Sequence, residues 1–260
     1  MRIALFSTLN HSIMKVGLFV PCYIDQFYPQ VAIATLQLLE KCGCEVGFPL
    51  NQSCCGQPMA NSGCENESKA TAKLFVQNFK EFDYIVGAAP SCVGFVKEHY
   101  DIIPQSKEVE HVREKIYDIT EFLLDVLKIK KIDASFPYKV GLHQSCHAQR
   151  GMRMAQSSEI NGPAFSKQRQ ILEMVDGLEF IELDRTDECC GFGGTFCVTE
   201  DAVSAKMGKD RVADHARNGA QVITGGDTSC LMQLEGVIRR QNKGIKVVHL
   251  VEILNGTATL

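Results

Sequence analysis

Cys54 and Cys55 stand side by side in "NQSCCGQPM", and Cys189 and Cys190 do the same in "ECCGFGG". Adjacent thiols are poorly placed to bond to one another, because a disulfide needs a particular separation and dihedral angle. Each pair is flanked by one distant cysteine on either side: Cys22 and Cys92 in the first half, Cys146 and Cys230 in the second. Each half therefore reads C…CC…C in the same order. Thiolates in such a set suit soft or borderline metals, either zinc or an iron–sulfur cluster. The glycines that follow, Gly56 in one half and Gly191, Gly193 and Gly194 in the other, allow backbone N–H groups to approach bulky sulfur closely.

The remaining cysteines, Cys42, Cys44, Cys64 and Cys197, have no counterpart in the other half and read as buried small residues or free thiols. His143 and His147 flank Cys146 in "HQSCH". Either could replace a thiolate as a ligand. His147 could instead donate a hydrogen bond to sulfur. The chain has no G-x-S-x-G and no Walker loop. "CCGFGGTF" lacks the Lys-Ser/Thr of a phosphate loop, so neither nucleotide nor flavin binding is expected.

The elements that must position these residues are also repeated. "KVGLFVPCY" (15–23) matches "KVGLHQSCH" (139–147), "CEVGFPLNQSCCG" (44–56) matches "LEFIELDRTDECCG" (178–191), and "DYIVGAAPSC" (83–92) matches "QVITGGDTSC" (221–230). Three collinear matches argue for internal duplication. Short apolar β-branched runs read as buried strands. Between them lie helical stripes: Val31, Ala34, Leu38 and Leu39; Leu74, Phe75, Phe79 and Phe82; and, after Thr199 as N-cap, Val203, Met207 and Val212, with Gly219 as the stop. "EKIYDITEFLLDVLK" reads as the last helix of the first half, and "KVVHLVEIL" as a closing strand. The expected fold is α/β, with two pseudo-symmetric repeats of βαβ units and parallel sheets, over residues 14–131 and 137–255. Ligands of such sheets bind at the carboxyl ends of the strands, which is where every cysteine of the repeated set falls.

Of 260 residues, 45% are hydrophobic and 22% charged, and the net charge is −4. That is ordinary for a globular protein and unlike a nucleic-acid-binding surface. The apolar runs are too short to span a bilayer. Residues 1–13 read either as an extension ahead of the repeat or as lying before a true start at Met14, and they lack the pattern of a secretory signal. With reduced cysteines and no export signal, a cytoplasmic location is expected, with membrane contact only through partners.

The doubled C…CCG…C set resembles the cysteine-rich CCG domain family, which includes a component of heterodisulfide reductase and the iron–sulfur subunits of glycolate oxidase and anaerobic glycerol-3-phosphate dehydrogenase. "PCYIDQFYPQVA", "CCGQPMANSG", "APSC" and "CCGFGGTF" are similar to a subgroup tied to L-lactate oxidation. The resemblance implies [4Fe–4S] clusters on Cys22, Cys54, Cys55 and Cys92 and on Cys146, Cys189, Cys190 and Cys230, with Gly56, Gly191, Gly193 and His147 beside them. It implies an electron-transfer subunit working with other iron–sulfur and accessory proteins of a lactate-oxidising complex, rather than a stand-alone catalyst. The alternatives are a zinc-binding scaffold and a thiol redox protein like heterodisulfide reductase. The family pattern closes each repeat with C-x-x-C; here Ala89 and Asp227 hold the place of the first of those cysteines, and Asp227 could offer an oxygen ligand.

Overall fold

The computed structural model describes residues 14–260; the extension expected over residues 1–13 lies outside them. Strands β1 (Lys15–Phe19), β2 (Glu45–Gly47), β3 (Tyr84–Gly87) and β4 (Ile116–Asp118) form one parallel sheet in the order β2-β1-β3-β4. Strands β5 (Lys139–Leu142), β6 (Glu179–Phe180), β7 (Val222–Gly225) and β8 (Lys246–His249) repeat it as β6-β5-β7-β8. All six strand pairs are parallel. The central strands are almost wholly buried, as in "KVGLF", where only Lys15 is exposed. They read as unbroken apolar runs because helices cover both faces of the sheet. The α/β fold with two repeats of parallel βα units is therefore as expected.

Three local readings are corrected. "EKIYDITEFLLDVLK" is not one helix: Ile116–Asp118 is the edge strand β4, and a helix begins only at Ile119 and widens into a π-helical turn over Phe122–Val126. "KVVHLVEIL" is strand only to His249, where a capping box with Glu252 starts the helix Leu250–Asn255. Short apolar runs carry little period, so tertiary pairing decides between strand and helix. Thr199 is not the N-cap expected of it: it closes a short helix, Phe196–Thr199, and Glu200 holds the N-cap position of the next, Asp201–Arg217, without a side-chain capping bond. The buried face of that longer helix carries Ser204, Gly208, Arg211, Val212, Asp214 and His215, while Val203 is exposed.

One apolar core runs through both halves. Val16, Leu39 and Phe122 belong to it together with Val140, Leu172 and Leu254. The C-terminal helix Leu250–Asn255 packs on Pro29–Lys41 of the first half, where Lys41 Nζ donates to Asn255 Oδ1 at 2.7 Å. Reciprocally, Ile119–Glu121 packs on the second-half helix Lys167–Leu172, and Lys167 Nζ meets Asp125 Oδ2 at 2.6 Å. Each buried Leu or Phe here contributes about 1.5–3 kcal/mol. The outer faces carry separate cores. One is built on Phe19, Phe75 and Phe79, the other on Val212, Ile223 and Leu234.

Candidate metal centre

The carboxyl ends of the central strands of both sheets open into one cleft. A cavity of about 340 Å³ is lined by all eight cysteines of the repeated set, four from each half. The halves thus do not carry two remote sites; their cysteines face a common space.

Local structure explains each position. Cys22 opens the helix that follows β1, directly after Pro21. Cys146, at the matching place after β5, precedes the π-helical turn His147–Gly151. Cys92 and Cys230 sit in the first turns of Pro90–His99 and Thr228–Arg240. The paired cysteines end in a glycine with φ of +96° at Gly56 and +85° at Gly191, a conformation costly for other residues. This turn aims the glycine amides back at sulfur. Gly56 N donates to Cys54 Sγ and Gly191 N to Cys189 Sγ, each at 3.4 Å, and Phe192 N reaches Cys190 Sγ at 3.4 Å.

The sulfurs form two matching rows. Cys22 Sγ lies 3.7 Å from Cys54 Sγ, and Cys54 meets Cys55, which meets Cys92. In the other half Cys146 meets Cys189, Cys189 meets Cys190, and Cys190 meets Cys230. Hydrogen bonds from Cys22, then from Cys55 and the Gly56 amide, hold Cys54 down at about 3 against the effect of burial. Bonds from Cys146, then Cys190, hold Cys189 at about 2. Cys22, Cys55, Cys146 and Cys190 are pushed up, first by the same thiol contacts and then by burial. The close-packed thiols thus bond to one another, and burial opposes charge on them. A cation among the sulfurs is what would let more of them ionise. This donor chemistry fits zinc or an iron–sulfur cluster, with Cys22, Cys54, Cys55 and Cys92 able to hold one group and Cys146, Cys189, Cys190 and Cys230 another.

The other expected residues take varied places. Gln57 Nε2 donates to His147 Nε2 at 3.2 Å across the two halves, which leaves the ring proton on Nδ1, 3.6 Å from Cys146 Sγ. His147 is thus set as a donor to sulfur. Gly193 has φ of +56° and lines the cavity with Gly194. Asp227 is buried, and both its oxygens are engaged: Oδ1 accepts from Ser91 N at 3.1 Å and Ser91 Oγ at 2.6 Å, and Oδ2 accepts from Ser145 Oγ. Ala89 is buried beside Cys92. A ring nitrogen of His143 lies within 4.8 Å of the sulfurs of Cys190 and Cys230. Burial, with Arg211 next to it, pushes His143 down to about 3, so the ring is neutral. Cys44 is in the shared core, with Cys42 packed against it. Cys64 is exposed, and Cys197 Sγ donates to Gly194 O at 3.0 Å.

Sequence reasoning did not find Ser91, Ser145, Gln57 or Arg211, nor Tyr23 and Phe192. Those two rings meet edge-on at 5.6 Å across the cleft. Their roles depend on how the two halves face each other, and only Tyr23 had a signal, as the partner of His147 in the repeat.

The description of the CCG family, "Cysteine-rich domain", matches residues 16–97 and again 140–235. The chain belongs to the CCG family. Within the matched CCG segments lie all eight cysteines of the two rows. The chain is 38% identical over 246 residues to lactate utilization protein A of Oceanobacillus iheyensis, covering 93% of this chain and 97% of that one. It is 40% identical over 246 residues to the protein of the same name from Shouchella clausii, covering 93% and 99%. Among solved structures, glutamate racemase from Francisella tularensis aligns over 94% of this chain and 78% of that one. Its TM-score is 0.34 at 12% identity, too distant to inform this CCG chain. Among the described residues no helix is long and apolar enough to cross a membrane.

Proposed function

We propose that this chain is an iron–sulfur electron-transfer subunit serving the oxidation of L-lactate to pyruvate. The observation that carries the reading is the pair of four-thiol rows facing one cavity. The similarity to lactate utilization protein A along nearly the whole chain supports lactate as the substrate of that system.

Each row would hold a [4Fe–4S] cluster, which takes up and releases one electron at a time. The chain's own residues hold the sulfurs in place, aim the amides of Gly56, Gly191 and Phe192 at them, and set His147 as a donor. The cleft-lining thiols are taken up in holding the clusters, which leaves the organic step to be done elsewhere. That step is assigned to other chains of a lactate-oxidising complex, with further iron–sulfur and accessory proteins as donors and acceptors. The chain works in the cytoplasm and meets the membrane only through those partners.

The test is metal and acid-labile sulfide content per chain after anaerobic purification. Iron and sulfide in equal amounts, with a broad visible absorption bleached by dithionite, support the reading. Colourless protein holding stoichiometric zinc and no sulfide overturns it in favour of a zinc-binding scaffold.

A further inference from the structure

The two halves match in their thiols but not in what stands behind them. In the first half the outer core behind the cysteines is aromatic. Phe19 meets Phe75 edge-on at 4.9 Å, and Phe75 lies 4.5 Å from Phe79. The repeat aligns "KVGLF" with "KVGLH", so His143 takes the place of Phe19. Ser68 lies under Gly56 as Ser204 lies under Gly191. Counting along the two helices from those serines, Arg211 takes the place of Phe75 and His215 that of Phe79. The strands agree: a side chain at Gly17 would meet Phe79, and one at Gly141 would meet His215.

This exchange places a cation behind one site only; the second site also has the carboxylate of Asp227, in the place of Ala89, with its oxygens held by Ser91 and Ser145. Arg211 is completely buried. It remains a cation, since guanidinium does not give up its proton in proteins. Its counter-ion Asp214 lies 3.4 Å away, but Asp214 also accepts from Asp184 N and Arg185 N at 3.1 Å and pairs with Arg217 at 3.0 Å. Asp214 is thus shared between Arg211 and other donors, and Glu188 and Asp187 also stand near the guanidinium. Arg211 Nε donates to His143 Nδ1 at 3.2 Å. A neutral ring that accepts at Nδ1 carries its proton on Nε2. Among the described residues that buried Nε2 has no partner, in a ring standing beside Cys190 and Cys230. In this tautomer His143 is no ligand through Nε2, and its N–H is, among the described residues, an unpaired donor in a ring beside the second site.

We propose that Arg211 and His143 set the second four-cysteine site apart from the first, so that the cluster held there is reduced at the higher potential. The proposal rests on the iron–sulfur reading given above. Adding an electron makes a site more negative. A buried cation and an N–H donor stabilise that state, whereas phenyl rings do not. A chain carrying a single electron then keeps it in the second half. Arg211 and His143 are positioning and tuning residues, not ligands.

The test is a dithionite titration of the anaerobically reconstituted full chain, followed by electron paramagnetic resonance. Cys55→Ser and Cys190→Ser assign the signals by removing one site each. The expected result is two midpoint potentials, the higher belonging to the signal that survives in Cys55→Ser. In His143→Phe/Arg211→Phe, which copies the first half, the higher midpoint shifts down while the other stays and iron content is unchanged. Arg211→Lys, which keeps the charge, retains the separation. Coincident or reversed midpoints in the wild-type chain, readable even where the double variant fails to fold, overturn the proposal and leave the iron–sulfur reading standing. Zinc without iron overturns both.

Discussion

Asp227 Oδ1 lies 2.6 Å from Ser91 Oγ, and this contact joins the second half of the chain to the first beside the cleft. The same carboxylate accepts from Ser91 N and from Ser145 Oγ, and Ser145 Oγ accepts in turn from Ala148 N at 3.1 Å. The residue at the place of the family's missing cysteine thus acts as a clamp, with neither oxygen free for a metal. Asp227→Ala leaves three donors without their acceptor. It is expected to lower stability by roughly 3 kcal/mol in urea denaturation, and Asp227→Asn by less. Equal stability of the alanine variant and the wild type would remove the clamp from the account.

Cys55 and Cys190 are the most deeply buried members of their rows. Cys55→Ser and Cys190→Ser should each remove about half of the bound iron, and the double variant nearly all of it, with elemental analysis as the readout. Unchanged iron content in both single variants would show that the ligand rows are drawn wrongly.

The two glycine turns differ in the space they leave. A Cβ on Gly191 would sit 2.7 Å from Ser204 O and 2.8 Å from Met207 Cβ, whereas one on Gly56 would come no closer than 3.4 Å, to Ser68 Cβ. Both substitutions carry the positive-φ penalty of about 1–2 kcal/mol, but only Gly191→Ala adds a backbone clash. Gly191→Ala should therefore lower the melting temperature more than Gly56→Ala, and should release the Gly191 amide from Cys189.

Asp118, buried at the end of β4, has its carboxyl pushed up to about 8, chiefly by burial. Unfolded, it titrates at about 3.9. Between these values the native state holds a proton that the unfolded state has lost, so this group's contribution falls as pH rises. Asp118→Asn keeps an oxygen for Thr120 N, which Asp118 Oδ1 accepts at 2.8 Å. Its stability relative to wild type should grow by about 3 kcal/mol from pH 5 to pH 8. A difference that stays flat across this range would refute the shift.

His215 and His249 act in the opposite sense. Burial pushes them down to about 2 and about 4, so both are neutral when folded. Below about pH 6.5 each gains a proton on unfolding, and their stabilisation is lost as pH falls towards the folded values. From pH 6.5 to pH 5 the two together should remove about 3 kcal/mol, partly offset by Asp118. Calorimetry of wild type and His249→Asn would show a shallower acid slope in the variant if the histidine is responsible.

The repeat, the parallel sheets and the places of the eight cysteines could be read from the sequence, because strands of "KVGL" type and CCG turns carry strong local signals. Two kinds of feature could not. The buried face of Asp201–Arg217 defied hydropathy. Val203 looked like core and is exposed, while Arg211 and His215 are fully buried because they pack inside the second half. Contacts such as Ser91 with Asp227, or Gln57 with His147, depend on how the halves meet. No spacing within either repeat encodes that meeting.

The reciprocal packing of Leu250–Asn255 on the first half and Ile119–Glu121 on the second has a consequence for how such a chain could arise. A single repeat would leave its first long helix without its cover and its last helix without a seat. Two identical copies would supply both, as an obligate two-fold homodimer with four thiols from each protomer facing a shared cleft. Fusion of two such genes frees each copy to vary alone, and the substitution of Arg211 for a phenylalanine in only one half is the kind of asymmetry that a homodimer cannot carry.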